Sequence, residues 1–183
     1  MPIDFQRIRP PETPRLLVRT YTSADAPAYL AAAERNREHL ARYESGNLLM
    51  NIHTLQDAER VLAGMAEWQA QGECCFLGAF EKPSMEFAAQ VYIGGIFNDP
   101  PEYELGYIAD CEHEGRGFVR EALQAVCLEL FERGNASRLT LHCDEGNLRS
   151  RKVAEGCGFT LVSRAAKPEG QPGWDLEYER LHP

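Results

Sequence analysis

The sequence predicts a mixed α/β fold, a single sheet with helices packed against it. Three observations lead there. Short runs with the two-residue period of a strand are interleaved with longer runs whose apolar residues recur every three or four positions, the period of a helix. Their order is one strand, two helices, three strands and then alternation, the order of a sheet that takes helices on its faces. Finally, a glycine-rich turn, Glu114-Gly115-Arg116-Gly117-Phe118-Val119, joins a strand to an amphipathic helix.

The first fourteen residues carry four prolines, Pro2, Pro10, Pro11 and Pro14, and are expected to run extended over the surface. Residues 15–19 read as the first strand. Ser23 or Thr22 can cap a helix that includes residues 25–36, with Pro27 tolerated in its first turn. Thr54-x-x-Asp57 opens a second helix that reaches Gln71 before Gly72 stops it. Strands are expected over 74–80, 87–96 and 104–109, the first two linked by Glu81-Lys82-Pro83-Ser84. After the glycine turn, Val119, Ala122, Leu123, Val126, Cys127 and Leu130 mark a helix with one buried stripe. Then come a strand over 138–143, a short helix over 150–155 and a strand over 160–164. A last strand, 174–180, lies beyond the loop 168–173. No repeat or linker interrupts this order, and 183 residues suit one sizeable core better than two. Residues 1–183 are therefore expected to form a single domain, with 1–14 as an extended N-terminal tail.

Apolar residues make up 44% of the chain and charged residues 26%, ordinary for a globular protein. No run of about eighteen apolar residues exists, which argues against a membrane span. The first residues lack the basic-then-apolar layout of a signal peptide, so a cytoplasmic location is expected. None of the six cysteines forms a Cys-x-x-Cys pair and several sit in apolar patterns, which points to reduced core thiols rather than metal ligands or disulfides. A net charge of −9 argues against a nucleic-acid-binding surface and is compatible with a cationic acceptor.

The glycine turn carries the first chemical signal. Gly115 and Gly117 let the backbone turn tightly and expose amide N–H groups where the helix dipole is positive, the physical recipe for holding a phosphate or pyrophosphate. A purely structural turn is the alternative, and the neighbouring motifs decide between them. The strand over 138–143 runs into Asn147-x-x-Ser150, followed by Val153-Ala154-Glu155-x-x-Gly158-Phe159. With the turn, these elements resemble the Gcn5-related N-acetyltransferase (GNAT) superfamily, most of all the branch that acetylates ribosomal-protein N-termini. The resemblance runs from Arg15 to the end of the chain. It implies a central, mostly antiparallel sheet flanked by helices, and acetyl-coenzyme A as co-substrate with no metal. In that family a Gln/Arg-x-x-Gly-x-Gly/Ala turn wraps the cofactor pyrophosphate. Glu114-x-x-Gly117-x-Val119 matches it but departs at the first and last positions.

Acetyl transfer from a thioester to an amine needs proton removal, stabilisation of the carbonyl oxygen, departure of the thiolate and alignment. The resemblance assigns the pantetheine arm to the strand Tyr107-Ile108-Ala109 and to Asn147. It assigns the pyrophosphate to Glu114, Gly115, Arg116, Gly117, Phe118 and Val119. Ser150 has two readings, a residue of the helix cap or a hydroxyl that relays a proton to the departing sulfur. Glu104 is the candidate for proton removal, directly or through water, against the alternative of a solvated strand end. Strand alternation puts Glu102, Glu104 and Gly106 on one face, where the two glutamates could share a cleft. Tyr107 faces the other way. His113 and His142 read as structural. Asn36-Arg37-Glu38-His39-Leu40-Ala41-Arg42-Tyr43 resembles the family segment that follows the first helix. Tyr43, Glu102 and Trp174, the last from the loop 167–174, are the expected acceptor contacts, with surface-loop packing as the alternative for both segments.

The leading reading is an acetyl-coenzyme A-dependent N-acetyltransferase for a primary amine, with a protein N-terminal α-amine as the favoured acceptor. A small amine (polyamine, amino acid or antibiotic) or a non-catalytic coenzyme A-binding role are the alternatives. A dinucleotide oxidoreductase is disfavoured because the third glycine of Gly-x-Gly-x-x-Gly is missing. A homodimer is one of the assembly states left open.

Overall fold

A computed structural model describes residues 4–5, 8–9, 11–96, 98–168 and 173–182. In chain order its main elements are β1 (Leu16–Thr20), α1 (Ala26–Leu40), α2 (Leu55–Gln71), β2 (Cys74–Glu81), β3 (Glu86–Ile96) and β4 (Glu102–Ala109). They continue as α3 (Phe118–Glu132), β5 (Arg138–Asp144), α4 (Leu148–Gly156), β6 (Thr160–Ala166) and β7 (Trp174–Leu181). The described strands form one sheet in the order β1-β2-β3-β4-β5-β7-β6. Every neighbouring pair is antiparallel except β4 and β5, which run parallel. The fold is thus the mixed α/β arrangement expected, with a mostly antiparallel sheet flanked by helices.

Local chemistry sets the helix ends. Thr54 Oγ1 accepts from the Asp57 amide at 3.1 Å and the Asp57 carboxylate accepts from the Thr54 amide at 3.0 Å, the reciprocal pair that starts α2. Gly72, at φ 73°, takes the left-handed conformation that ends it. α1 begins one residue later than expected and runs to Leu40, four residues past Asn36. Asn36 does not end the helix because its side chain turns inward, donating to the Ala32 carbonyl at 2.8 Å. Most of the segment expected to follow the first helix is therefore its last turn.

Two cores flank the sheet. α3 and α4 cover one face through residues such as Leu123, Val126 and Ala154, packed on Val91, Leu105 and Leu139. α1 and α2 cover part of the other through Tyr29, Leu62 and Met65, packed on Phe80, Phe87 and Ile108. β4 feeds both, Tyr103 and Leu105 on the α3 side and Ile108 on the α1 side. The N-terminal segment departs from the expected surface course. Phe5 and Ile8 are buried in the α3-side core, because two large apolar side chains gain more from that core than from solvent. Of the four prolines placed in that tail, Pro2 and Pro10 lie outside the described residues, as do residues 169–172 of the expected acceptor loop. All six cysteines are free, with Cys75, Cys127 and Cys157 buried. Among the described residues, no helix is long and apolar enough to cross a membrane.

Asp110, just past β4 and fully buried, ties these parts together. Its carboxylate accepts from Arg35 Nε at 2.7 Å and Asn36 Nδ2 at 2.8 Å, both from α1. It also accepts from the Glu112 amide at 3.1 Å and lies 3.1 Å from His113 Nδ1. Asn36 Oδ1 in turn accepts from the Cys111 amide at 2.7 Å. Arg37, next along α1, donates to the carbonyls of Met50 and Ile52 at 2.8 and 2.6 Å. The Asn36-Arg37 pair thus clamps α1 to the end of β4 on one side and to the loop before α2 on the other. Asp110→Ala would take a buried carboxylate away from Arg35, Asn36 and His113, a loss of about 3–5 kcal/mol. Urea denaturation should show the midpoint falling accordingly, whereas an unchanged midpoint would mean that the clamp contributes little.

Candidate active site

The parallel pair β4–β5 lasts for four registered positions, from Glu102 opposite Arg138 to Leu105 opposite Leu141. Both strands continue, but each then follows its outer neighbour. β4 stays on β3 as far as Ala109 opposite Ala89, and β5 stays on β7 as far as Asp144 opposite Asp175. The two strands part, and a cleft of 430 Å³ opens between the freed end of β4 and the segment that follows β5. Its walls are Tyr107, Ile108 and Ala109 of β4, Glu114 and Val119 at the glycine turn, and Asn147, Arg149 and Ser150 at the start of α4. His39, Tyr43 and Glu44, at and after the end of α1, complete it. Eight of the expected site residues meet here: Tyr43, Tyr107, Ile108, Ala109, Glu114, Val119, Asn147 and Ser150.

Gly115 and Gly117 both adopt left-handed backbone, at φ 74° and 77°. A Cβ added at Gly115 would meet nothing within 4 Å, so the glycine is required by conformation and not by space. Gly117 precedes α3 and supplies no side-chain cap, so the first amides of this fifteen-residue helix have no capping partner there. Amides in that state, at the positive end of a helix, suit an anion. The side chains of the turn divide. Arg116 leaves the cleft to donate to Glu81 at 2.8 Å and to lie 4.5 Å over the Phe118 ring. Phe118 itself is core. These two expected cofactor residues can therefore contribute backbone only. Glu114 does face the cleft, where its carboxylate pairs with His39 Nε2 at 3.0 Å and with Arg149. Its charge, unusual at a phosphate-binding turn, is answered by Arg149 of α4, with His39 of α1 as a second polar neighbour.

At the other wall Asn147 Oδ1 accepts from the Ser150 amide at 3.1 Å and caps α4, so its NH₂ is the group that can turn to a ligand. Because Asn147 is the cap, α4 starts two residues earlier than expected and Ser150 is not the capping side chain. The Ser150 hydroxyl instead donates to Tyr107 Oη at 3.0 Å, and the Tyr107 hydroxyl donates to the Ser150 carbonyl at 2.8 Å. Burial pushes the Tyr107 phenol well up, so it stays protonated across the neutral range. Burial also raises the Glu44 carboxyl above the ordinary range. Tyr43 donates to the Gly146 carbonyl at 3.1 Å, bridging the turn after α1 to the loop before α4.

The remaining expected residues lie elsewhere. Glu102 is held by Asn98 at 2.7 Å and Arg138 at 3.4 Å, so it is neutralised and does not crowd Glu104. Glu104 lies on the same face beyond the cleft walls, with His142 Nδ1 3.4 Å from its carboxylate. Trp174 alternates with buried Leu176 and Tyr178 and so belongs to the opposite, α3-side face of the sheet. There it stacks under Arg164, 4.1 Å from the ring. Of the three expected acceptor contacts, then, the cleft includes Tyr43 alone. His113 is buried with its Nε2 3.3 Å from Glu81, and it forms with Glu81 and Glu86 a group whose ligand atoms lie within 4.8 Å of one another. Arg116 already neutralises Glu81 there.

Sequence reasoning missed His39 and Glu44 as wall residues, and read Arg149, with Arg151 and Lys152, as surface charge with a nucleotide-phosphate contact as the alternative. His39 stood in plain view in the segment singled out before Tyr43. Glu44 and Arg149 carried no pattern that separates a wall residue from surface charge.

A family profile described as "Acetyltransferase (GNAT) domain" matches residues 15–160. The chain is 36% identical to the ribosomal-protein-serine acetyltransferase of Escherichia coli (strain K12) over 58 residues, 32% of each chain. The curated relatives it matches are covered over less than half of their lengths, between 32% and 46%. Among solved structures it is similar to RimL, a ribosomal L7/L12 alpha-N-protein acetyltransferase in complex with coenzyme A. That likeness has a TM-score of 0.83 and 20% identity over 94% of this chain and 97% of that one. MccE, the microcin C7 self-immunity acetyltransferase in complex with acetyl-CoA and AMP, has a TM-score of 0.83 and 16% identity, covering 96% and 99%. At these identities the structural likenesses speak to the fold. The profile match, over most of the chain and across both walls of the cleft, shows that the chain belongs to the GNAT acetyltransferase family.

Proposed function

We propose that the protein is an acetyl-coenzyme A-dependent N-acetyltransferase acting on a primary amine, with a protein N-terminal α-amine as the favoured acceptor. The observation that carries this reading is the cleft between parting parallel strands, with uncapped α3 amides at one end and the Tyr107–Ser150 hydroxyl pair in its wall. The residues fit the co-substrate. The amides of residues 117–119 suit the pyrophosphate, and the inner edge of β4 from Gly106 to Ala109 has no described strand beside it and suits the amide-bearing pantetheine arm. Asn147 supplies a side-chain amide opposite.

Bound acetyl-coenzyme A supplies the activated acetyl group, and the chain supplies position and protons. A backbone N–H of β4 polarises the carbonyl as charge develops on its oxygen. The Ser150 hydroxyl, backed by neutral Tyr107, gives a proton to the sulfur as the C–S bond breaks. Proton removal from the amine falls to the Glu104 side of the point where the strands part. The relatives whose names specify ribosomal-protein acceptors support the favoured acceptor. The similarity to MccE supports the second reading, a small-molecule amine. A screen that monitors thiol release and product mass, with N-terminal peptides, polyamines and aminoglycosides as acceptors, separates them. Faster turnover of peptides is expected. Preference for a small amine would select the second reading, and binding of acetyl-coenzyme A without transfer to any amine would leave a non-catalytic coenzyme A-binding protein.

Two predictions follow from the walls of the cleft. Gly117→Asp sets a carboxylate against the phosphates, and the loss of charge-assisted contacts worth about 1.5–3 kcal/mol should weaken acetyl-coenzyme A roughly ten- to a hundredfold by calorimetry. Unchanged affinity in a folded variant would remove the turn from the site. Ser150→Ala and Asn147→Ala should separate chemistry from capping. Ser150→Ala should lower kcat by about a hundredfold, the low end for acid–base roles because a thiolate leaves readily, with an unchanged denaturation midpoint. Asn147→Ala should cost about 1 kcal/mol of stability through the lost cap. Normal turnover in Ser150→Ala would remove the proton relay.

A further inference from the structure

We propose that His142 is a catalytic residue of the acetyl transfer, the base that takes the proton from the acceptor amine, and that Glu104 is the positioning residue that orients its ring. This rests on the acetyltransferase reading above and names the group that completes it.

The register of the sheet puts the two residues at the point where the strands part. The last β4–β5 pair is Leu105 opposite Leu141. Glu104 stands one residue before it on β4 and His142 one residue after it on β5. Leu139 and Leu141 are buried against the α3-side core, so alternation turns Thr140 and His142 to the other face, which Glu102 and Glu104 share. The Arg138–Glu102 contact at 3.4 Å and the His142–Glu104 contact at 3.4 Å are successive rungs on that face. Gly106, next along β4 on the same face, lies under Tyr92 of β3, which a Cβ there would touch at 3.5 Å, so Tyr92 stands beside the pair on the side toward the cleft. Tyr107 and Ser150 lie on the opposite side of β4. The group that takes the amine proton and the group that protonates the sulfur thus flank the parting strands from two faces, as a transfer from one side to the other requires.

His142 and Glu104 form an ion-pair contact at 3.4 Å that an arriving acceptor can tighten into the hydrogen bond of a base with its orienting acid. His142 Nδ1 lies toward Glu104 Oε1, so a proton on Nδ1 faces the carboxylate and Nε2 carries the lone pair. The side chains are 51% and 49% exposed, open to an acceptor arriving from solvent. Glu104 faces the His142 ring from β4 and Glu177 is registered opposite His142 on β7. Arg138, Asp144, Asp175 and Glu179 lie one step further along the same face. Arg138 is occupied by Glu102, Glu177 and Glu179, and Asp144 by Lys167. Tyr92 of β3 faces Glu104. In the step itself the amine lone pair forms the C–N bond and the C–S bond breaks. The proton of the neutral amine's nitrogen passes to His142 Nε2 and on to water. The sulfur leaves with its electron pair and takes the Ser150 proton, which solvent returns to the serine, so the proton lost by nitrogen balances the one gained by sulfur.

The test compares wild type, His142→Gln, His142→Ala and Glu104→Gln in acetyl-coenzyme A affinity and in kcat/KM from about pH 6 to about pH 9. His142→Gln should lose about a hundredfold or more in kcat/KM near neutral pH, with affinity for acetyl-coenzyme A within about twofold, and regain rate as rising pH deprotonates the acceptor. Imidazole added to His142→Ala should restore part of the rate, which a merely structural histidine would not allow. Glu104→Gln should lose less than His142→Gln, because the imidazole remains. A wild-type pH profile in His142→Gln, or a large loss confined to Glu104→Gln, would overturn the assignment and make the glutamate itself the base. Absence of transfer by the wild type to any amine would instead refute the acetyltransferase reading, before the variants are compared.

Discussion

The site depends on a single constraint: β4 and β5 are paired for only part of their length. A parallel pair that ran to its end would satisfy both inner edges and leave no cleft. Here each strand is carried off by a stronger, antiparallel partner, β4 by β3 and β5 by β7. The ends are fixed as well. Asp110 binds the end of β4 to α1, and Lys167 pairs with Asp144 at the end of β5. The opening is therefore a property of the sheet and its anchors, set by elements that have no part in the chemistry.

α1 joins fold and site. Its Arg35, Asn36 and Arg37 are spent on locking the helix against β4 and the loop before α2, while His39 and the following Tyr43 and Glu44 reach the cleft. His39 meets Glu114, which also meets Arg149 of α4, so a chain of charge runs across the opening from helix to turn to helix. With the Tyr43–Gly146 hydrogen bond, this joins the three walls. An acidic residue at the first position of a phosphate-binding turn is tolerable because Arg149 already answers it. An incoming anion meets a balanced turn and not a bare carboxylate.

What could be read from the sequence was what is encoded locally. The Thr54–Asp57 box, the Gly72 stop, the glycine turn and the Asn147-x-x-Ser150 element each lie within a few residues, and the elements they mark formed where expected, to within a few residues at their ends. What could not be read depends on which strands are neighbours. Glu104 and His142 are far apart in the chain and meet only because β5 lies beside β4 in one register. Trp174 was grouped with Tyr43 and Glu102, but the phase of β7 puts it on the other face. Arg116 and Phe118 belong to a phosphate-binding motif yet turn their side chains to Glu81 and the core. Phe5 and Ile8 were hidden among prolines, whose local signal for an extended surface course was outweighed by burial. Asn36 and Arg37 were noticed as a pattern, but a pattern does not say that its donors point at Asp110 and the loop carbonyls.

The most direct measurement is a crystal structure of the protein with coenzyme A or acetyl-coenzyme A bound. The expected result is the pantetheine arm between β4 and β5, against residues 106–109 and Asn147, with the pyrophosphate on the amides of residues 117–119. The sulfur should lie close to Ser150, with the acetyl group reaching toward the His142–Glu104 pair. Density for the ligand on the outer face of α1 and α2, with the cleft empty at saturating ligand, would contradict the assignment of the parting strands as the acetyl-transfer site.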